Sequence, residues 1–101
     1  MFGLFKRADI NEGVQRYAST PNGVLLDVRS PQEYEEGHIP ESFNVPLQML
    51  EDVVTVAEDT PLFVYCHSGV RSRQAAEQLR DMGYWNVHNI GGIITYEGPI
   101  V

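Results

Sequence analysis

The chain has 101 residues and a formal net charge of −7, with fourteen Asp and Glu against seven Lys and Arg. That length accommodates one compact domain over residues 1–101 and excludes two, and the acidic balance disfavours nonspecific attraction to nucleic-acid phosphates or anionic membranes. An apolar fraction of 43% without low-complexity tracts excludes disorder and predicts a packed, soluble fold.

The opening MFGLFKRADI puts its apolar residues ahead of Lys6 and Arg7, the reverse of an export signal and far short of a membrane span. Phe2, Leu4 and Phe5 make residues 1–8 an apolar arm, expected to pack on its own domain. Asp9 is a candidate N-cap with Glu12 three residues later, and Ile10, Val14, Tyr17 and Ala18 recur at helical spacing, so residues 9–18 are predicted helical. Pro21 and the Asn22-Gly23 turn then punctuate the chain, and the apolar run over residues 24–28 predicts a central strand. Ser30, Pro31 and Glu33 carry a capping-box signature with proline at the first helical position, and Gly37 ends that short helix.

Phe43–Val45 reads as a brief strand, and Leu47, Leu50, Val53, Val54 and Ala57 trace a helix-period stripe that stops at Pro61. A second apolar run, Leu62–Tyr65, leads into a helix predicted from Arg71 to Met82, with Ala75, Leu79 and Met82 on one face and Gly83 at its end. Asn86–Ile90 is a last strand before Gly91 and Gly92. Strands and helices alternate almost throughout, which signals an α/β fold with a parallel sheet, and the unbroken apolar runs suit strands buried on both faces.

Cys66 is the chain's only cysteine, so it has no internal disulfide partner and fits a reducing, cytoplasmic setting. It sits where the second strong strand ends and the next helix begins, beyond the carboxyl edge of the sheet, where α/β folds place ligand crevices. In the loop CHSGVR, Gly69 permits a turn that points backbone N–H groups inward at the mouth of the helix. Those groups, the helix dipole and Arg71 all favour a thiolate over a thiol. Residues 66–73 carry Arg71 and Arg73 and no acid, a local positive mouth on an acidic chain that should attract small anions.

The stretches LLDVRSPQEYEEGHIPESFNVPL and VYCHSGVRSRQAAEQLRDMGYWNVHNIGGI resemble the rhodanese family of sulfurtransferases in its single-domain form. Asp27 and Arg29 match the family's D-x-R, Gly37–Pro40 its GHIP, Asn44–Pro46 its NVP, and Gly91-Gly92 its C-terminal glycine pair. The resemblance implies a rhodanese-like parallel sheet of about five strands with helices on both faces. It makes Cys66 the nucleophile within an active-site loop running from His67 through Ser68, Gly69, Val70, Arg71 and Ser72 to Arg73.

It further implies that Cys66 takes sulfane sulfur from thiosulfate or a persulfide, carries it as a persulfide, and passes it to a thiol, a protein acceptor or cyanide, with no metal or organic cofactor. Asp27 is expected to hold the loop through its N–H groups, and Arg29 to pair with Glu33. The competing enzyme reading, a phosphatase or arsenate reductase, uses a cysteine and an arginine with five residues between them, whereas four separate Cys66 from Arg71 and Ser72 takes the longer loop's arginine position. A third reading is a sulfur-relay or binding module served only by partner proteins. His67 and Ser68 follow the cysteine where thiosulfate-specialised relatives carry basic residues, which favours another persulfide as donor. Glu41 stands where many relatives have Gly, and Tyr96 where many have Trp. His38 and His88 lie in segments with no second ligand at metal spacing, so no metal site is expected.

Overall fold

The computed structural model of the chain describes residues 8–101, so the apolar arm lies, but for Ala8, outside the described residues. Four parallel strands form one sheet in the order β2-β1-β3-β4, where β1 is Val24–Asp27, β2 Phe43–Asn44, β3 Leu62–Cys66 and β4 Val87–Gly92. The resemblance implied about five strands; the described residues form four.

The sheet separates two apolar layers because alternate residues of each strand point to opposite faces. On one face Leu26, Val64 and Cys66 pack with Leu50, Ala75 and Leu79; on the other Leu25, Phe63 and Tyr65 pack with Ile10 and Ile90. Every residue of β3 is buried, as its uninterrupted apolar run requires. A fully buried side chain such as Leu79 contributes about 1.5–3 kcal/mol to folding.

Helix α1, Ile10–Ala18, lies on the Phe63 face; the Asp9 carboxylate accepts the Asn11 N–H and caps it. Helix α2, Pro31–Glu36, shows the full capping box: Ser30 Oγ accepts the Glu33 N–H, and the Glu33 carboxylate accepts the Ser30 N–H. The predicted helix over Leu47–Ala57 is a correction. Its stripe breaks into a 3₁₀ turn, Leu47–Met49, and one α turn, α3, Leu50–Val53. Val54 is extended and buried while Val53 and Val56 stay exposed, so the stripe follows two short pieces rather than one helix face. Helix α4, Val70–Asp81, packs on the Leu26 face and begins directly at the end of the cysteine loop.

Strand β4 carries a bulge. Val64 stands opposite Asn89 but Tyr65 opposite Gly91 and Cys66 opposite Gly92, so Ile90 is the extra residue. Glu41, where the resemblance has Gly, adopts a left-handed φ of 73°, and its carboxylate accepts the Tyr17 hydroxyl at 2.9 Å.

Candidate active site

Cys66 ends the central strand β3, and the chain turns through His67, Ser68 and Gly69 into α4. Gly69 makes that turn with φ of 103°, a conformation that costs a side-chain-bearing residue and costs glycine little. The turn points two backbone donors at the sulfur: the Gly69 N–H at 3.0 Å and the Ser72 N–H at 3.3 Å from Sγ. Ser72 Oγ lies 3.4 Å from the same sulfur. Cys66 is 1% exposed, and burial by itself pushes a thiol up. The Ser72 hydroxyl and the N–H groups of Ser72, Gly69 and Ser68 outweigh that burial, leaving the Cys66 thiol below its ordinary value.

Strand β4 braces the loop from behind. A Cβ on Gly92 would stand 2.5 Å from Ser68 Cα and would strike the His67 carbonyl oxygen, so this position admits only glycine without displacing the loop. The Ile94 N–H donates to that same His67 carbonyl at 3.1 Å.

The charged residues sort differently from the sequence-based expectation. Arg29 pairs with Asp27, not Glu33: its Nη2 lies 2.7 Å from Asp27 Oδ2 and also donates to the Gly37 carbonyl at 2.7 Å. The Asp27 carboxylate also accepts the Arg29 N–H at 2.9 Å, so it holds its own turn and the GHIP segment rather than the cysteine loop. The reason is reach, since two residues on a tight turn face each other while the loop lies one strand away. Glu33 belongs instead to Arg71, in a two-pronged pair at 2.8 and 3.0 Å. That guanidinium, together with the Ser30 cap, holds the Glu33 carboxyl down to about 2.

Among the predicted loop residues, Ser72 is fully buried under the sulfur, Arg71 is half-buried, and His67, Ser68, Val70 and Arg73 are exposed. Arg73 makes no ion pair among the described residues. It lines an open groove of about 1170 Å³ with Ser68, Gly69, Asn89, Gly92 and Ile94, along the outer side of the loop. Asn89 is a residue that sequence reasoning missed. Its Oδ1 accepts the Ser72 hydroxyl at 2.7 Å and the Gly91 N–H at 3.1 Å; an amide within an apolar strand was the one available signal.

Among the described residues no group of His, Cys, Asp and Glu could hold a metal ion, and no helix is long and apolar enough to cross a membrane. His38 Nδ1 donates to the Tyr34 carbonyl at 2.8 Å and the ring stacks on Tyr34, while His88 stacks on Phe63.

Comparison with known proteins agrees with this architecture. A sulfurtransferase of Allochromatium vinosum is 37% identical over 84 residues, covering 81% of this chain and 78% of that protein. The thiosulfate sulfurtransferase PspE of Escherichia coli is 37% identical over 71 residues, covering 67% of this chain and 68% of that one. A solved structure described as a rhodanese with anions from E. coli superposes with a TM-score of 0.72 at 33% identity, over 78% of this chain and 96% of that one. The family described as Rhodanese-like domain matches residues 11–95, and the chain belongs to that family of α/β proteins.

Proposed function

We propose that this protein is a sulfurtransferase that carries sulfane sulfur as a persulfide on Cys66. The observation that carries the reading is the buried sulfur facing the N–H groups of Gly69 and Ser72, a geometry that favours negative charge on a sulfur and needs no reorganisation as that charge moves. In the first step the Cys66 thiolate attacks the outer sulfur of a donor such as thiosulfate; the new S–S bond forms as the old one breaks, and its electron pair leaves on sulfite. In the second, the outer sulfur of the persulfide has taken a proton from solvent, an acceptor thiolate attacks it, and the electron pair of the broken S–S bond returns to Sγ. A covalent carrier divides one transfer into two displacements, giving ping-pong kinetics.

The remaining residues take roles consistent with their positions. Arg71 is tied to Glu33 and keeps α2 against the loop, while its charge still acts on Cys66. Arg73, which makes no ion pair among the described residues, lines the groove and attracts an anionic donor. His67 and Val70 face outward and shape the entrance for the acceptor. Relatives named as sulfurtransferases, one of them for thiosulfate, support the reaction class. Between cycles Cys66 has to remain a free thiol, which suits a reducing, cytoplasmic compartment.

The test is the intact mass of the reduced protein before and after thiosulfate, then after cyanide, with Cys66→Ser alongside. Gain of one sulfur atom, its release as thiocyanate, and no gain in Cys66→Ser are the expected results. A thiol that still alkylates but gains no sulfur from thiosulfate or from a low-molecular-weight persulfide would overturn the proposal.

A further inference from the structure

Ser72 brings one hydroxyl proton to a place where two oxygen acceptors and the Cys66 sulfur surround it. Its Oγ lies 2.7 Å from Asn89 Oδ1, 3.4 Å from the Gly91 carbonyl and 3.4 Å from Cys66 Sγ. Ser72 is fully buried, so water does not relieve the competition. The Asn89 amide has one orientation here. Its Oδ1 accepts the Gly91 N–H at 3.1 Å, and its Nδ2 reaches the Gly69 carbonyl at 3.5 Å. Turned over, the amide would set a donor against the Gly91 N–H. Asn89 therefore faces Ser72 as an acceptor only.

We propose that Asn89 is a positioning residue that decides where the Ser72 hydroxyl proton points: at Asn89 Oδ1 while Sγ is uncharged, and at Sγ whenever that sulfur is a thiolate. In the resting thiol, Ser72 donates to Asn89 along the shortest of the three contacts and leaves its lone pairs for the Cys66 S–H. When Sγ becomes a thiolate, rotation about the Ser72 Cβ–Oγ bond swings the proton to the sulfur and no heavy atom moves. Asn89 Oδ1 keeps the Gly91 N–H, so it is not stranded. In the persulfide the charge sits on the outer sulfur, Sγ is neutral again, and the proton returns to Asn89.

The catalytic consequence rests on the sulfur-transfer reading of Cys66. During the second transfer Sγ is the leaving group, and the Ser72 hydroxyl meets it as the electron pair arrives; the proton on the outer sulfur stays with the product persulfide. Among the described residues, the charged and titratable groups near this thiol and its loop are Arg71 with its partner Glu33, the Asp27–Arg29 pair at the end of β1, the exposed His67 and Arg73, and Asp9 and Glu97 in the groove beside Gly69 and Asn89. None of them touches Ser72 Oγ or the Asn89 amide, so substitutions at these two residues can be read against a constant background.

The experiment measures the rate of iodoacetamide alkylation of the reduced protein against pH, for wild type, Ser72→Ala, Asn89→Ala and the double variant. Loss of the hydroxyl raises the midpoint by about one pH unit, because a donor to the thiolate is gone. Asn89→Ala lowers it by about half a unit, because its strongest competitor for that hydroxyl is gone and only the longer Gly91 carbonyl contact remains. In the double variant the Asn89 effect vanishes. Asn89→Asp is the second probe, should alanine loosen the strand: its carboxylate holds the hydroxyl more firmly, raising the midpoint, and by less when Ser72 is alanine. Shifts of equal size with and without the Ser72 hydroxyl, or no shift in either background, would overturn the proposal. No sulfur donor enters this assay, so failure of the sulfur-transfer reading is seen separately, in the mass experiment.

Discussion

Replacing Glu33 by glutamine should weaken the fold and open the site in one step. Glu33 caps α2 through the Ser30 N–H at 3.0 Å and grips Arg71 with both oxygens at 2.8 and 3.0 Å. Glutamine retains the cap, since its amide oxygen still reaches the Ser30 N–H, and loses the charge. A carboxyl held from 4.5 down to about 2 corresponds at face value to about 3 kcal/mol. The side chains of Arg71 and Glu33 are 37% and 31% exposed, and solvent screening brings the pair to about 1 kcal/mol.

The sign follows from a depressed carboxyl: this stability is present above the unfolded value and is lost as pH falls from about 4.5 through about 2. Urea denaturation of Glu33→Gln near pH 7 should therefore show a loss of about 1 kcal/mol, a fall in Tm of about 4–8 °C. The difference from wild type should close as both are taken below pH 3. At the same time Arg71, released from its partner, gains freedom to meet an anionic donor, so sulfur loading from thiosulfate should speed up at low salt. A variant whose deficit is unchanged between pH 7 and pH 2 would refute the assignment of that stability to the Glu33 carboxylate.

Three further substitutions probe other parts of the structure. Gly92→Ala puts a methyl group 2.5 Å from Ser68 Cα and against the His67 carbonyl, so the loop must retreat; it should cost about 1–3 kcal/mol in urea and raise the pH at which Cys66 alkylates. Asp27→Asn leaves Arg29, 5% exposed, without its counter-charge; removing one partner of such a pair costs about 3–5 kcal/mol, read as a lower urea midpoint with an unchanged slope. Tyr65→Phe removes a buried hydroxyl that accepts the Ile39 N–H at 3.1 Å and lies 3.1 Å from Ser42 Oγ; a loss of about 1–2 kcal/mol is expected, with little change in thiol reactivity because Tyr65 faces the opposite side of the sheet from Cys66.

Local chemistry made most of the fold legible. The Ser30–Glu33 capping box is present in full, and the apolar run ending at Cys66 is a strand buried on both faces. The stretch from Leu47 to Ala57 was misread because helical spacing in so short a window is also satisfied by two separate turns, and exposed Val53 and Val56 carry no mark in sequence to set them apart from buried Val54. The cysteine loop was legible for a different reason: a glycine three residues after a strand-ending cysteine fixes backbone direction locally. Pairings across the fold were not. Arg29 and Arg71 both lay within plausible reach of acids, and only the tight turn after β1 and the docking of α2 beside the loop decide that Asp27 takes one and Glu33 the other. Asn89 showed in sequence only as an amide within an apolar strand, and its role was hidden because its partner, Ser72, comes from another element.

The bulge at Ile90 changes the parity of β4. In a regular strand, residues three apart point to opposite sides of the sheet, yet Asn89 pairs with Val64 and Gly92 with Cys66, and both of those β3 residues face α4. One surplus residue thus lets the side chain that governs the Ser72 hydroxyl and the glycine that makes room for the loop address the same sulfur. At position 90, then, the presence of a residue matters more than which apolar side chain it carries. Exchanging Ile90 for another apolar side chain should be tolerated, whereas deleting it would leave Asn89 and Gly92 two positions apart on a regular ladder, still on one face but without the local bend of the bulge and without the Ile90 side chain in the layer under α1.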